Sequence, residues 1–172
     1  MQASNYFELF NIPISFMPDQ PIIKQRYLAL TRKYHPDFFT NDTTEAQLEA
    51  LEQSALINKA YKTLRNEEAT LAYVLELKGT LTVNEKYTLN NAFLMEVMEW
   101  NEALTDALME DDDEAKQKAV TAIEQLQQNN YETVAHLLTK AHLDDVSEEA
   151  LLQVKEYYYR KKYLDRILAA NK

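Results

Sequence analysis

The chain holds three histidines and no cysteine, so chemistry built on side-chain nucleophiles or metal ligands has few places to sit. His35-Pro36-Asp37 places an imidazole and a carboxylate two residues apart, the types that can serve as an acid/base pair. His136 and His142 are six apart, a poor match to one helical face, and no third ligand accompanies them, so they read as surface or capping histidines rather than a metal site. In His35-Pro36-Asp37 the proline fixes the backbone. It holds His35 where it can donate or stack and Asp37 where it can pair with an arginine of a partner. For an isolated tripeptide the plainer reading, a proline that stops a helix and an aspartate that caps the next segment, is preferred. Lys24, Arg26, Arg32 and Lys33 precede it, and no acid lies between Asp19 and Asp37, in a chain of net charge -10.

The elements that must position these residues are helical. One glycine and four prolines leave little for hairpins or phosphate-cradling loops, whereas Leu, Ala, Glu, Gln and Lys favour helix. Without cysteine there is no disulfide frame, thiolate zinc site, iron-sulfur ligand set or cysteine nucleophile. A pI near 4.8 argues against nucleic acid, which needs a basic surface against the phosphates. The N-terminal MQASNYFELF has neither a secretory nor a transit pattern, and no run approaches the roughly 20 apolar residues of a membrane span; the expectation is a cytoplasmic protein with no membrane partner.

A boundary is expected at Lys78-Gly79-Thr80, where the single glycine separates two periodic regions. Residues 1–78 carry 8 basic and 10 acidic side chains, residues 79–172 carry 10 and 18, so the second region holds most of the negative charge. In the first region helices are expected at 4–10, with Tyr6, Phe7 and Phe10 as core, from Asp19-Gln20-Pro21 to Tyr34, and from Thr44 to Leu64. Ile23, Tyr27, Leu30 and Tyr34 share one narrow sector of the second helix and form its core face, with Lys24, Arg26, Arg32 and Lys33 outside it. Leu51, Ala55, Ile57, Tyr61 and Leu64 give the third helix its spacing. The acidic run Glu110 to Glu114 reads as an exposed helix start.

The second region predicts three helices, 84–109, 112–141 and 146–170, packed as a bundle. In the first of them Leu89, Phe93, Val97, Trp100, Leu104 and Leu108 complete a core stripe. Leu94, Met95 and Met98 fall outside it, with Glu102 beside them and Glu99 at the edge. A methionine-rich apolar surface suits a protein-binding patch; cover by another helix or by the first domain accounts for the pattern equally well. In the last helix Leu151, Val154, Tyr158, Leu164 and Leu168 face inward, while Tyr159 and Tyr163 project among Arg160, Lys161 and Lys162. Tyr163 would add an aromatic anchor to such a patch.

NYFELFNIP, a basic helix ending in RKYHPDFF, and SALINKAYKTLRN, in that order and spacing, resemble a J-domain, the co-chaperone module that docks on DnaK-type ATPases. The resemblance implies chaperone docking through His35, Pro36, Asp37, Arg26, Arg32 and Lys33, with ATP hydrolysed by the partner and not by this chain. NEEATLAYVL departs from the family in lacking a proline and an arginine, which is expected to loosen packing around Tyr73. NNAFLMEVMEWNEAL and YYYRKKYLDRI resemble the client-binding bundle of the HscB family, J-type co-chaperones of iron-sulfur cluster assembly. That resemblance spans nearly the whole chain. It implies an all-α fold, a J-domain helical hairpin over 1–78 plus a three-helix bundle over 79–172. It also implies an HscA-like chaperone and an IscU-like scaffold protein as partners. The scaffold would be held by positions matching Leu94, Met95, Met98, Glu99, Glu102 and Tyr163. Tyr163 stands for an expected phenylalanine and Met98 for a leucine, and both keep the apolar character. The absence of a cysteine-rich metal module favours a bacterial-type form. No residue set argues for a bound cofactor, iron or cluster. The alternative is a J-domain co-chaperone with a different or general unfolded client, separated from the first reading by whether the bundle binds one folded scaffold or many extended peptides.

Overall fold

The computed structural model describes residues 4–40, 42–140, 142–143 and 145–170, and among them the only regular elements are helices. They are α1 (Tyr6–Phe10), α2 (Gln20–Lys33), a 3-10 turn (Pro36–Phe39), α3 (Thr44–Leu64), α4 (Glu67–Leu77), α5 (Asn91–Met109), α6 (Asp113–Leu138) and α7 (Glu148–Ala170). Contacts divide the chain into two compact units, Met1–Leu77 with Thr139–Asp145, and Lys78–Leu138 with Val146–Lys172.

Each helix of the first unit starts where a short polar side chain meets orphan backbone N–H groups. Asn5 Oδ1 accepts from Glu8 N at 2.9 Å, Asp19 Oδ1 from Ile22 N at 2.9 Å, and Thr43 Oγ1 from Ala46 N at 3.3 Å. Helix α1 ends on Asn11 in the left-handed region, φ 51°, one of the few non-glycine types that enter it readily. Helices α2 and α3 run antiparallel: Gln20 donates to the Leu64 carbonyl, Tyr27 donates to Asn58 Oδ1 at 2.9 Å, and the Tyr27 and Tyr61 rings stack at 3.9 Å. The core joins Phe7, Phe10, Phe16, Ile23, Ile57, Leu64, Val74, Leu75 and Leu143. Tyr6 is only half-buried. On the core face of α2, Ile23 is fully buried while Tyr27, Leu30 and Tyr34 are half-buried.

The structure corrects the reading of α3. Leu51 and Ala55 are exposed, and the buried line is Ala50, Ile57, Ala60 and Leu64. Small alanines let neighbouring backbones approach and so carry the seam where larger apolar residues do not. Helix α4 was not anticipated; Asn66 caps it, Oδ1 accepting from Ala69 N at 2.8 Å. Nor is Tyr73 on this helix loosely held. Its ring stacks on Tyr6 at 4.3 Å and its hydroxyl accepts from Tyr6 N at 3.0 Å, and burial pushes that hydroxyl's pKa up.

In the second unit α6 packs against both α5 and α7. The shared core is Phe93, Val97 and Leu104 from α5, Ala119 and Ile123 from α6, and Leu164 and Ile167 from α7. Helix α5 begins at Asn91, not at 84, because Asn90 Oδ1 caps it by accepting from Ala92 N at 2.8 Å. The segment before it turns at Asn84, φ 61°, and Glu85 N donates to the Thr82 carbonyl. Near the end of α5 Ala107 is buried and Leu108 is exposed, the reverse of the expected register. Asp112 caps α6, accepting from Glu114 N and Ala115 N, and the acidic run around it is exposed. Helix α6 stops at Leu138, short of the expected 141, and Ala141 itself lies outside the described residues. Leu168 is half-buried, and Tyr157 takes an inward position that had not been expected.

Candidate partner-binding surfaces

The first surface is built by the end of α2 and the 3-10 turn. Tyr34 ends α2 with φ -112° and ψ 23°, and the residue before a proline is pushed into extended backbone, so His35 adopts φ -67° and ψ 126°. His35 then caps the turn. Its Nδ1 accepts from Asp37 N at 3.3 Å, which leaves the ring proton on Nε2 while the imidazole is neutral. The Asp37 carboxylate lies 3.5 Å from that same Nδ1, with 84% of the side chain exposed; the two would form an ion pair only after the ring gains a proton. Thr40 Oγ1 donates to the Asp37 carbonyl, and Gln47 Nε2 donates to the Thr40 and Asp42 carbonyls, tying the turn to the start of α3. Asp37 is thus an exposed acceptor on a hydrogen-bonded frame. His35 is exposed and Pro36 half-buried.

The expected basic residues are all exposed but do not form one cluster. Arg26 and Lys33 lie two turns apart on nearly the same strip, whereas Arg32 is about 100° round the helix from Lys33, opposite the core. Among the described residues Lys24, Arg26 and Arg32 form no ion pair. Lys33 Nζ lies 5.0 Å from the Tyr34 ring centre. Their positive charge is therefore open to a partner, strongest next to the turn where Arg32 and Lys33 end the helix.

The second surface lies on α5. Met95 is 72% and Met98 53% exposed, and Glu99 and Glu102 are exposed beside them. Leu94 differs from the expectation for it: it is half-buried and packs on the bundle core. Leu94, Met98 and Glu102 form one row at intervals of four, with Met95 and Glu99 on the next. Tyr163 of α7 is half-buried as well, its ring edge-on to Phe93 at 6.4 Å and the Arg166 guanidinium 5.1 Å from its centre. Its ring thus meets α5 at Phe93, a residue of the bundle core. Tyr159 is not a free surface tyrosine: its ring stacks on Tyr87 at 4.3 Å and 2°, and burial pushes both hydroxyls' pKa up.

Two features were missed from the sequence. Lys155 is buried, its Nζ donating to the Thr80 carbonyl at 2.7 Å and to Glu85 Oε1 at 2.6 Å. The hydrogen bond from Lys155 holds the Glu85 carboxyl below the usual carboxylate range. The available signal was position, since Lys155 follows Leu151 by four residues on the inward face. The other is Phe38, 71% exposed directly after Asp37. Its two-residue motif FF gave no hint which ring would face out.

Among the described residues no group of three or more His, Cys, Asp or Glu is placed to hold a metal ion, and no helix is long and apolar enough to cross a membrane.

Comparison with known proteins places the chain in a family. A model of the DnaJ domain matches residues 5–73, and a model described as the HSCB C-terminal oligomerisation domain matches residues 89–172. The co-chaperone protein HscB homolog of Shewanella frigidimarina (strain NCIMB 400) is 35% identical over 170 residues, covering 95% of this chain and 94% of that protein. The HscB homolog of Haemophilus ducreyi (strain 35000HP / ATCC 700724) is 31% identical over 159 residues, covering 91% and 90%. Among solved structures, chaperone HscB from Vibrio cholerae superposes with a TM-score of 0.72 at 27% identity, over 97% of this chain and 94% of that one. Human co-chaperone protein HscB superposes with a TM-score of 0.77 at 26% identity, over 99% and 82%. The chain belongs to the HscB family, J-domain co-chaperones of iron-sulfur cluster assembly that regulate a DnaK-class chaperone rather than act as enzymes.

Proposed function

We propose that this protein is a cytoplasmic adaptor that binds an IscU-like scaffold on the α5 face, delivers it to an HscA-like chaperone, and stimulates that chaperone's ATPase through the His35-Pro36-Asp37 turn. The observation that carries the reading is the Asp37 carboxylate, 84% exposed on a turn fixed by hydrogen bonds at the end of a basic helix. A carboxylate so held loses little freedom on pairing with an arginine, and charge-assisted hydrogen bonds are among the stronger polar contacts. Arg26, Arg32 and Lys33 would supply attraction to an acidic surface around it and speed encounter. Pro36 would hold the turn and His35 would brace Asp37 through its backbone.

On the other unit, Met95 and Met98 would be the apolar contacts for the scaffold, Leu94 and Tyr163 the firmer floor they border, and Glu99 and Glu102 the polar rim. Holding scaffold and chaperone on one chain makes the second encounter intramolecular, so modest affinity at each face suffices. The test is turnover of an HscA-like ATPase with purified protein added. Asp37→Asn should abolish the stimulation while melting as wild type does, because the side chain touches solvent and not core. Full stimulation by that variant would overturn the docking assignment.

A further inference from the structure

We infer that Phe38 is a further contact residue for the chaperone, one that enters an apolar recess beside the arginine that pairs with Asp37; this rests on the docking reading proposed above. Phe38 is among the most exposed large hydrophobic side chains of the described residues, 71% open to solvent, and it follows directly on Asp37. Single exposed apolar residues are common on monomers, so exposure alone decides nothing. What distinguishes Phe38 is its mounting. Its N–H donates to the His35 carbonyl at 3.0 Å, it lies within the 3-10 turn Pro36–Phe39, and its ring meets the His35 ring edge-on at 6.0 Å and 67°. The neighbouring Phe39 is half-buried, so of the two phenylalanines only Phe38 is left largely open to solvent.

A large ring on a hydrogen-bonded turn gives up little conformational freedom when covered, which is the property of aromatic anchors at interfaces. The chemistry around it narrows the partner. On the docking reading Asp37 pairs with a cation, and a guanidinium can donate to the carboxylate along its edge while its flat face lies against an aromatic ring. A surface that satisfies Asp37 with arginine and offers adjoining apolar side chains therefore accommodates both residues at once. A solvent-facing role would place no such demand on position 38. Arg32 and Lys33, at the end of α2 on the other side of the turn, would face acidic groups of the same partner.

The experiment measures ATPase turnover of the HscA-like chaperone against the concentration of full-length wild type, Phe38→Ala, Phe38→Leu and Asp37→Asn. Phe38→Ala should raise the concentration for half-maximal stimulation about tenfold with the maximum unchanged, and Phe38→Leu should recover most of it. If Asp37→Asn is inactive and Phe38→Ala stays within about twofold of wild type, the inference falls while the docking reading stands. Should Phe38→Ala lower the maximum without moving the half-maximal concentration, the ring only positions His35 and the contact role is overturned. If Asp37→Asn stimulates normally, the docking reading itself fails, and this inference with it. Unchanged thermal melting of Phe38→Ala is expected from its exposure; a lowered melting temperature would assign the ring a structural role and overturn the proposal.

Discussion

Truncating Met95 and Met98 together to alanine tests the proposed scaffold face where the fold is least disturbed. Burying a whole methionine side chain is worth roughly 1.5–3 kcal/mol. Met95 is 72% and Met98 53% exposed, so each has about 1–2 kcal/mol to gain when a partner covers it. Alanine keeps only the first carbon of that surface. The double variant should therefore weaken binding of an IscU-like scaffold by about 2–3 kcal/mol, roughly 30- to 150-fold in Kd. Both side chains already stand in water, so the melting temperature should not change. Leu94→Ala is a poorer probe: Leu94 packs on the Phe93, Val97 and Leu164 core, and its loss would lower bundle stability as well as affinity. Titration calorimetry with the purified scaffold gives the number. A Kd within about threefold of wild type, with intact folding, would show that the scaffold does not cover these methionines and would remove the α5 face from the proposal.

The remaining predictions concern the buried lysine and the separation of the two faces. Lys155→Met should lower the unfolding free energy by about 1–2 kcal/mol in denaturant titration, since the Thr80 carbonyl loses a charge-assisted donor while methionine keeps the apolar packing; unchanged stability would mean the contact contributes nothing net. Because the folded-state pKa of Glu85 is depressed by the Lys155 hydrogen bond, its contribution is fully present above the ordinary carboxylate pKa and is lost as pH falls through the lower folded value. Acid titration of wild type should accordingly show a loss that Glu85→Gln lacks, and parallel curves for the two proteins would exclude it. Asp37→Asn should bind scaffold with wild-type affinity, because its carboxylate lies in the unit that does not carry the α5 face; a weakened Kd would tie the two faces together.

What the sequence revealed follows from how local each signal is. The His35-Pro36-Asp37 turn was legible because proline restricts both itself and the residue before it, and the structure places a helix end and a 3-10 turn there. The α5 stripe was legible at Phe93, Val97 and Leu104, where large residues recur at helical intervals, but Ala107 and Leu108 exchanged roles at the helix end. In α3 the seam runs through Ala50 and Ala60, and periodicity of large apolar residues cannot find a seam made by small ones. Helix α5 starts seven residues later than expected, after a segment in which Lys155 holds the Thr80 carbonyl and Glu85. That partner lies some 70 residues away in the chain, beyond the reach of any window. Leu94 shows the same limit at a proposed site residue: its angle on the wheel placed it outside the stripe, yet its length lets it lie against the core.

The distribution of charge gives the proposed adaptor a way to keep its partners apart. Residues 79–172 hold 18 acids against 10 bases, and Glu99 and Glu102 flank the exposed methionines. Around the turn the balance is reversed: Arg32 and Lys33 stand open beside it and Asp37 is the first acid after Asp19. A partner surface suited to the basic helix is acidic and would be repelled at the methionine face, while a scaffold surface that tolerates Glu99 and Glu102 is basic or apolar and gains nothing from α2. Like-charge juxtaposition at a wrong interface costs more than a weak rim contact gains. Discrimination by charge would leave the proposed apolar contacts, Met95 and Met98 on one unit and Phe38 on the other, to set affinity at each face without having to set its choice of partner.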